Sequence, residues 1–178
     1  MTASVAQGPA DGAQAAAVVP ARPEHLEAVV RIWHDGWQDG HRGNVPDELL
    51  AHRTLDGFRR MATERLPRTW VAVTGTGSDG EAVGFVVVHH DEVDQLYVAA
   101  DWRGRGVAVS LLDHAESLIG REHQVAWLAV VAGNRRARRF YERQGWHDAG
   151  GIDHHAETAT GSIPVPARRY EKALTGHA

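Results

Sequence analysis

The chain has 178 residues, a formal net charge of −4 with histidine neutral, and no cysteine. That length suits one domain with its own core. The missing cysteine excludes disulfides, thiolate metal sites and a cysteine nucleophile, and the mixed, mildly acidic charge lacks the basic footprint of a general nucleic-acid binder.

From Met1 to about Ala17 the composition is rich in Ala, Gly, Gln and Pro, without the basic or leucine-like regions of a signal peptide. A flexible tail over residues 1–17 and a single domain over 18–178 are expected. No apolar run approaches the ~20 residues that span a bilayer, so a cytoplasmic chain with no membrane partner is the expectation. Val18-Val19 opens a short strand that Pro20 and Pro23 end. Pro23, Glu24 and Glu27 then start a helix whose apolar positions, Leu26, Val29, Val30, Trp33 and Trp37, recur at helical spacing. Gly36, Gly40 and Gly43 break up the next segment. A short helix is expected from Pro46 through Leu50, and another from Leu55 to Leu66, stopped by Pro67.

Thr69–Thr74, Ala82–His89 and Val93–Val98 read as strands, the first two joined by a polar loop from Gly75 to Gly80. Val107–Ile119 is an amphipathic helix ended by Gly120. Val125–Val131 is nearly all apolar, as in a strand buried on both faces. A helix from Asn134 to Arg143 stops at Gly145. Two further strands come next, Trp146–Ile152 and Ile163–Leu174, the second weakened by Pro164 and Pro166. Between them Asp153–Gly161 is polar and expected to be exposed. The order β-α-α-β-β-β-α-β-α-β-β predicts an α/β (mixed α+β) fold, a mixed sheet with helices on both sides.

The stretch after Leu96-Tyr97-Val98 is the most informative. Arg103-Gly104-Arg105-Gly106-Val107-Ala108 joins a strand to a helix, and its glycines permit a sharp turn with close approach of a ligand. Free N–H groups at a helix N-terminus, with the positive end of the helix dipole behind them, make a receptor for phosphate or pyrophosphate. No Lys follows Gly106, which excludes a Walker loop, and no third glycine completes a dinucleotide fingerprint.

This Arg-x-x-Gly-x-Gly/Ala type of loop closely resembles that of the GNAT acetyltransferase superfamily. Asn134-Arg135-Arg136-Ala137-Arg138-Arg139-Phe140-Tyr141 through Gly145-Trp146 is similar to the family's Asn-x-x-Ala-x-x-Phe-Tyr-x-x-x-Gly-Phe segment, with Trp in place of the last Phe. The resemblance covers about residues 18 to 174, at the level of motifs from Val93 to Trp146. It implies a mostly antiparallel central sheet flanked by helices, with acetyl-CoA as co-substrate and no metal. It also implies that the main chain of Leu96, Tyr97 and Val98 pairs with the pantetheine. The amides of Arg103, Gly104, Arg105, Gly106, Val107 and Ala108 would hold the pyrophosphate. Asn134, on one helix face with Ala137 and Tyr141, would contact the coenzyme, and Tyr141 would protonate the leaving thiolate.

Amine acetylation also needs a base for the ammonium. Glu92 and Asp94 share one strand face by the two-residue period, and the family's base position falls nearest Glu92. Turn polarity around His89-His90-Asp91-Glu92 is the competing explanation. The arginines of the Asn134 helix are a solvated face by default, with Arg138 the one expected to reach a coenzyme phosphate. The adjacent pairs His89-His90 and His154-His155 would point to opposite faces, so no metal is expected. Trp37, beside a glycine-rich break, is expected to wall the acceptor site. The expected function is transfer of acetyl from acetyl-CoA to a primary amine, of a small molecule or a protein, by direct attack in a ternary complex. The alternatives are a non-catalytic acyl-CoA sensor, or an acetyltransferase acting on aminoacyl-tRNA, the latter disfavoured by the net charge. A homodimer is compatible with the resemblance.

Overall fold

A computed structural model describes residues 16–41, 43–75 and 80–174. The tail expected up to Ala17 and the loop expected from Gly75 to Gly80 lie largely outside the described residues. The strand β1 (Ala17–Pro20) leads to three helices, α1 (Leu26–His41), α2 (Asp47–Ala51) and α3 (Leu55–Arg65). A meander follows, β2 (Thr69–Val73), β3 (Ala82–His89) and β4 (Glu92–Val98). Then come α4 (Val107–Ile119), β5 (Val125–Val131), α5 (Arg135–Arg143) and a long hairpin of β6 (His147–Glu157) and β7 (Ser162–Ala173).

The strands form one seven-stranded sheet in the order β1-β2-β3-β4-β5-β7-β6. Neighbours run antiparallel throughout, except β4 and β5, which are parallel. The expected mixed, mostly antiparallel architecture is therefore present. Its two faces are covered by different helices. On one face Leu111, Leu112, Ala115 and Ile119 of α4 pack against Val86, Val93 and Leu128. On the other, Val29, Val30 and Trp33 of α1 and Phe58 and Met61 of α3 pack on Val71 and Phe85. The helical spacing of those α1 residues is thus a core stripe, and burial of this kind stabilises by roughly 1.5–3 kcal/mol per large side chain.

One irregularity matters for function. Val87 of β3 faces Gln95, yet Val88 faces Val93, so β4 carries one extra residue, Asp94. A bulge of this kind puts both of its residues on the same side. Gln95 accordingly donates through Nε2 to the adjacent Asp94 Oδ1 at 2.9 Å. Val93, Leu96 and Val98 go to the α4 face, while Tyr97 packs on the α1 face.

The C-terminal hairpin corrects the expectation for Asp153–Gly161. β6 does not stop at Ile152 but continues to Glu157, with Ala156 and Thr158 buried. The reason is an alternation in which Ile152, His154 and Ala156 turn inward and Asp153 and His155 outward, hidden in the sequence by its polar members. β7 tolerates Pro164 and Pro166 because β5 pairs only with residues 167–173, leaving the first part of β7 beside β6 alone.

Candidate active site

The parallel pairing of β4 with β5 is confined to Glu92 and Trp127, where Trp127 N–H also donates to the Asp91 carbonyl at 2.9 Å. Beyond that point the two strands splay apart. Ala99 N–H donates to the Val83 carbonyl at 2.9 Å, which sets the alternation of the β3–β4 ladder. Tyr97 and Gln95 therefore turn their main-chain groups to β3, and Leu96 and Val98 turn theirs into the gap. A cavity of about 680 Å³ occupies this gap, running from Glu92 past Leu96 and Val98 to Gly104, Gly106 and Asn134.

At its open end lies the loop before α4. Gly104 and Gly106 have φ of +76° and +83°, the left-handed region in which a side chain costs about 1–2 kcal/mol. Gly106 is the N-cap of α4 and, as a glycine, offers no capping side chain. Among the described residues no amide from Gly104 to Val109 donates to a protein acceptor. Orphan donors of this kind, aligned with the dipole of a 13-residue helix, present a positive main-chain surface to an anion. The arginines of the loop are turned elsewhere. Arg103 pairs with Asp39 at 2.9 Å and donates to the Val98 carbonyl, and Arg105 lies over the Trp102 ring at 5.0 Å.

α5 flanks the middle of the cavity. Asn134 caps this helix, its Oδ1 accepting from Ala137 N–H at 3.1 Å, and its side-chain nitrogen sits against Gly40 of α1. Tyr141 is buried among Phe140, Trp146 and Tyr170, and burial pushes its hydroxyl well above the usual tyrosine range. It is therefore a neutral O–H donor at physiological pH. Arg138, expected nearest a coenzyme phosphate, instead donates to the Tyr170 hydroxyl at 3.2 Å and to the Ala132 carbonyl at 3.3 Å. Arg136 and Arg143 are the arginines of α5 that line the cavity.

The two carboxylates of β4 have different surroundings. Burial, reinforced by the charges of Asp94 and Asp91, raises Glu92 to about 7. Asp94 is held by Arg65 at 3.1 Å, both side chains being 13% exposed. Arg65 also reaches Glu157 of β6 at 2.8 Å, and Arg60 reaches the same carboxylate at 2.9 Å. Against the opposing effect of burial, these arginines hold Glu157 below the ordinary glutamate value. Trp37 lines the cavity, stacked on His41 with centroids 4.8 Å apart. Burial pulls His41 down to about 4, so it is neutral. Gly36 lets α1 approach closely here: a Cβ would lie 2.6 Å from Cδ1 of Tyr97.

Sequence reasoning missed Arg53, Arg65 and Glu157, all of which line the cavity. The pairings that place them span up to 104 positions, with no local motif. Among the described residues no group of three His, Asp or Glu side chains could hold a metal ion, and no helix is long and apolar enough to cross a membrane.

Residues 26–146 match the acetyltransferase (GNAT) family. An uncharacterized N-acetyltransferase from Archaeoglobus fulgidus is 38% identical over 78 residues, 37% of this chain and 53% of that protein. The peptidyl-lysine N-acetyltransferase YjaB from Salmonella typhimurium is 27% identical over 131 residues, covering 72% of this chain and 81% of that protein. The chain thus spans about half the length of the first relative and about four fifths of the second. In fold, a GCN5-related N-acetyltransferase from Rhodopseudomonas palustris superposes with a TM-score of 0.68 at 22% identity, over 90% of this chain and 96% of that one. By the sequence of most of its length, with the fold in agreement, the chain belongs to the GNAT acetyltransferase family.

Proposed function

We propose that the chain transfers the acetyl group of acetyl-CoA directly to a primary amine, of a small molecule or a protein, with both reactants bound together. One observation carries this reading. A single cavity has unpartnered main-chain amides at one end and, at the other, a carboxyl titrating at about 7. The amides from Gly104 to Val109 take the pyrophosphate, and the main chain of Leu96 and Val98 pairs with the pantetheine as an added strand. The thioester then lies beside Tyr141. The name of the Salmonella relative assigns it a lysine amine, an acceptor of the same chemical class.

Ionised Glu92 takes a proton from the acceptor ammonium. The freed amine nitrogen attacks the thioester carbonyl carbon, and the C–S bond breaks as the tetrahedral intermediate collapses. Tyr141 donates its hydroxyl proton to the departing sulfur, while the surplus proton on the new amide nitrogen leaves to water. With no cysteine in the chain, no thioester relay through the protein operates. Holding both reactants in one cavity supplies orientation as well as acid–base chemistry.

Calorimetry with CoA and thiol release from acetyl-CoA with a panel of amine classes test this. Binding of CoA together with formation of an acetylated amine is the expected result. Failure to bind CoA overturns the reading entirely; binding without acetylation of any amine leaves a coenzyme-binding protein and removes the transfer.

A further inference from the structure

The acceptor end of the cavity holds a buried cation without a carboxylate of its own. Arg53, just beyond α2, is 8% exposed. Its Nη1 donates to the main-chain carbonyl of Glu157 at 2.7 Å, and its guanidinium lies 5.5 Å from the centre of the Trp37 ring. Among the described residues that is its only hydrogen bond, and it forms no salt bridge. The nearby carboxylates are already engaged: Asp94 by Arg65, and Glu157 by Arg65 and Arg60. Neutral His41 offers no countercharge.

A guanidinium taken out of water without an ionic partner is costly, and its remaining N–H groups form a fork shaped for a carboxylate. Glu92, which lines the same cavity and forms no salt bridge among the described residues, suits an amine. We infer that the acceptor is a small amine bearing its own carboxylate, which docks on Arg53 while its amine is presented to Glu92. This rests on the transferase reading above. Size points the same way. Glu157 of the β6–β7 hairpin is tied to α3 by two arginines and to Arg53 through its carbonyl. A polypeptide laid across this end would have to displace that tether, and a small zwitterion need not.

The test uses the full chain, acetyl-CoA and matched sets of amines: lysine, its methyl ester and 1,5-diaminopentane; phenylalanine, its methyl ester and phenethylamine. Lysine within a peptide is added twice, once with a blocked and once with a free C-terminus. The free amino acids should exceed their esters and decarboxylated partners in kcat/KM by about 10- to 100-fold, as for a charge-assisted buried bond. Arg53→Met should abolish the preference, and Arg53→Lys should keep part of it. Equal rates across each set, or preference for the blocked peptide, overturn the proposal. Preference for the peptide with a free C-terminus keeps the carboxylate site but refutes the small acceptor. If the Met variant does not fold, the sets on the unaltered chain decide. If no amine is acetylated, the transferase reading fails by itself. The carboxylate site is then judged by thermal shift of the CoA-loaded chain with each acid against its ester, equal shifts refuting it.

Discussion

The two ends of the cavity are built from different materials. At the loop before α4 the polar surface is main chain: amides left without acceptors, glycines with positive φ, and the exposed edges of splayed strands. At the Glu92 end it is side chain, with Arg53, Arg65, Asp94 and Glu157 brought from separate elements into one network. A main-chain site depends on conformation and little on neighbouring side chains. A side-chain site depends on each partner, because removing one leaves another buried and uncompensated. Substitutions should therefore separate the two ends by what they damage.

The largest effect is expected at Glu92. Glu92→Gln should lower kcat by about 10²–10⁴-fold, the usual contribution of a general base. Because the base must be ionised, the unaltered chain should gain rate as pH rises through about 7, and the variant should lose that rise in a pH–rate profile. Next is Arg65→Met, which strands Asp94 and Glu157 together without their shared guanidinium. It should destabilise the fold by about 2–4 kcal/mol, seen as a fall in Tm, and an unchanged Tm would remove the network from the description of this end. Tyr141→Phe should lower kcat by about 10- to 100-fold while calorimetric CoA affinity stays the same, which isolates proton donation from binding. The smallest change is Gly106→Ala. Nothing lies within 4 Å of the added Cβ, so the cost is that of φ at +83° alone. CoA affinity should weaken by about tenfold and the acceptor KM should not move. Were the acceptor KM to move instead, the division between main-chain and side-chain ends would be wrong.

The same contrast explains how much is legible in the sequence. Gly104 and Gly106 mark special backbone conformations directly, so the loop, its strand and its helix can be read from adjacent residues. The periodic stripe of α1 and the apolar run of β5 are equally local. The Arg53–Glu157 contact joins positions 104 apart, and nothing near either residue announces the other. The second half of β6 escapes a sequence reading because Asp153, His154 and His155 look like a solvent-exposed loop, although every second residue turns inward. Glu92 and Asp94 are visible as carboxylates. Their difference is not, since it arises from burial of the first and from Arg65 beside the second.

The extra residue at Asp94 has a wider consequence. Upstream and downstream of it, β4 is read in two different phases, and the carboxylate half and the Tyr97 half meet on one side only because of that slip. Removing Asp94 would close the ladder in its present register, with Gln95 still opposite Val87 and Val93 still opposite Val88, at the cost of one carboxylate. Keeping all seven residues but pairing them without the slip would instead hold Glu92 and Asp94 in place and exchange the sides of Tyr97 and of Leu96 and Val98. The strand's function is thus written in its frame as much as in its composition.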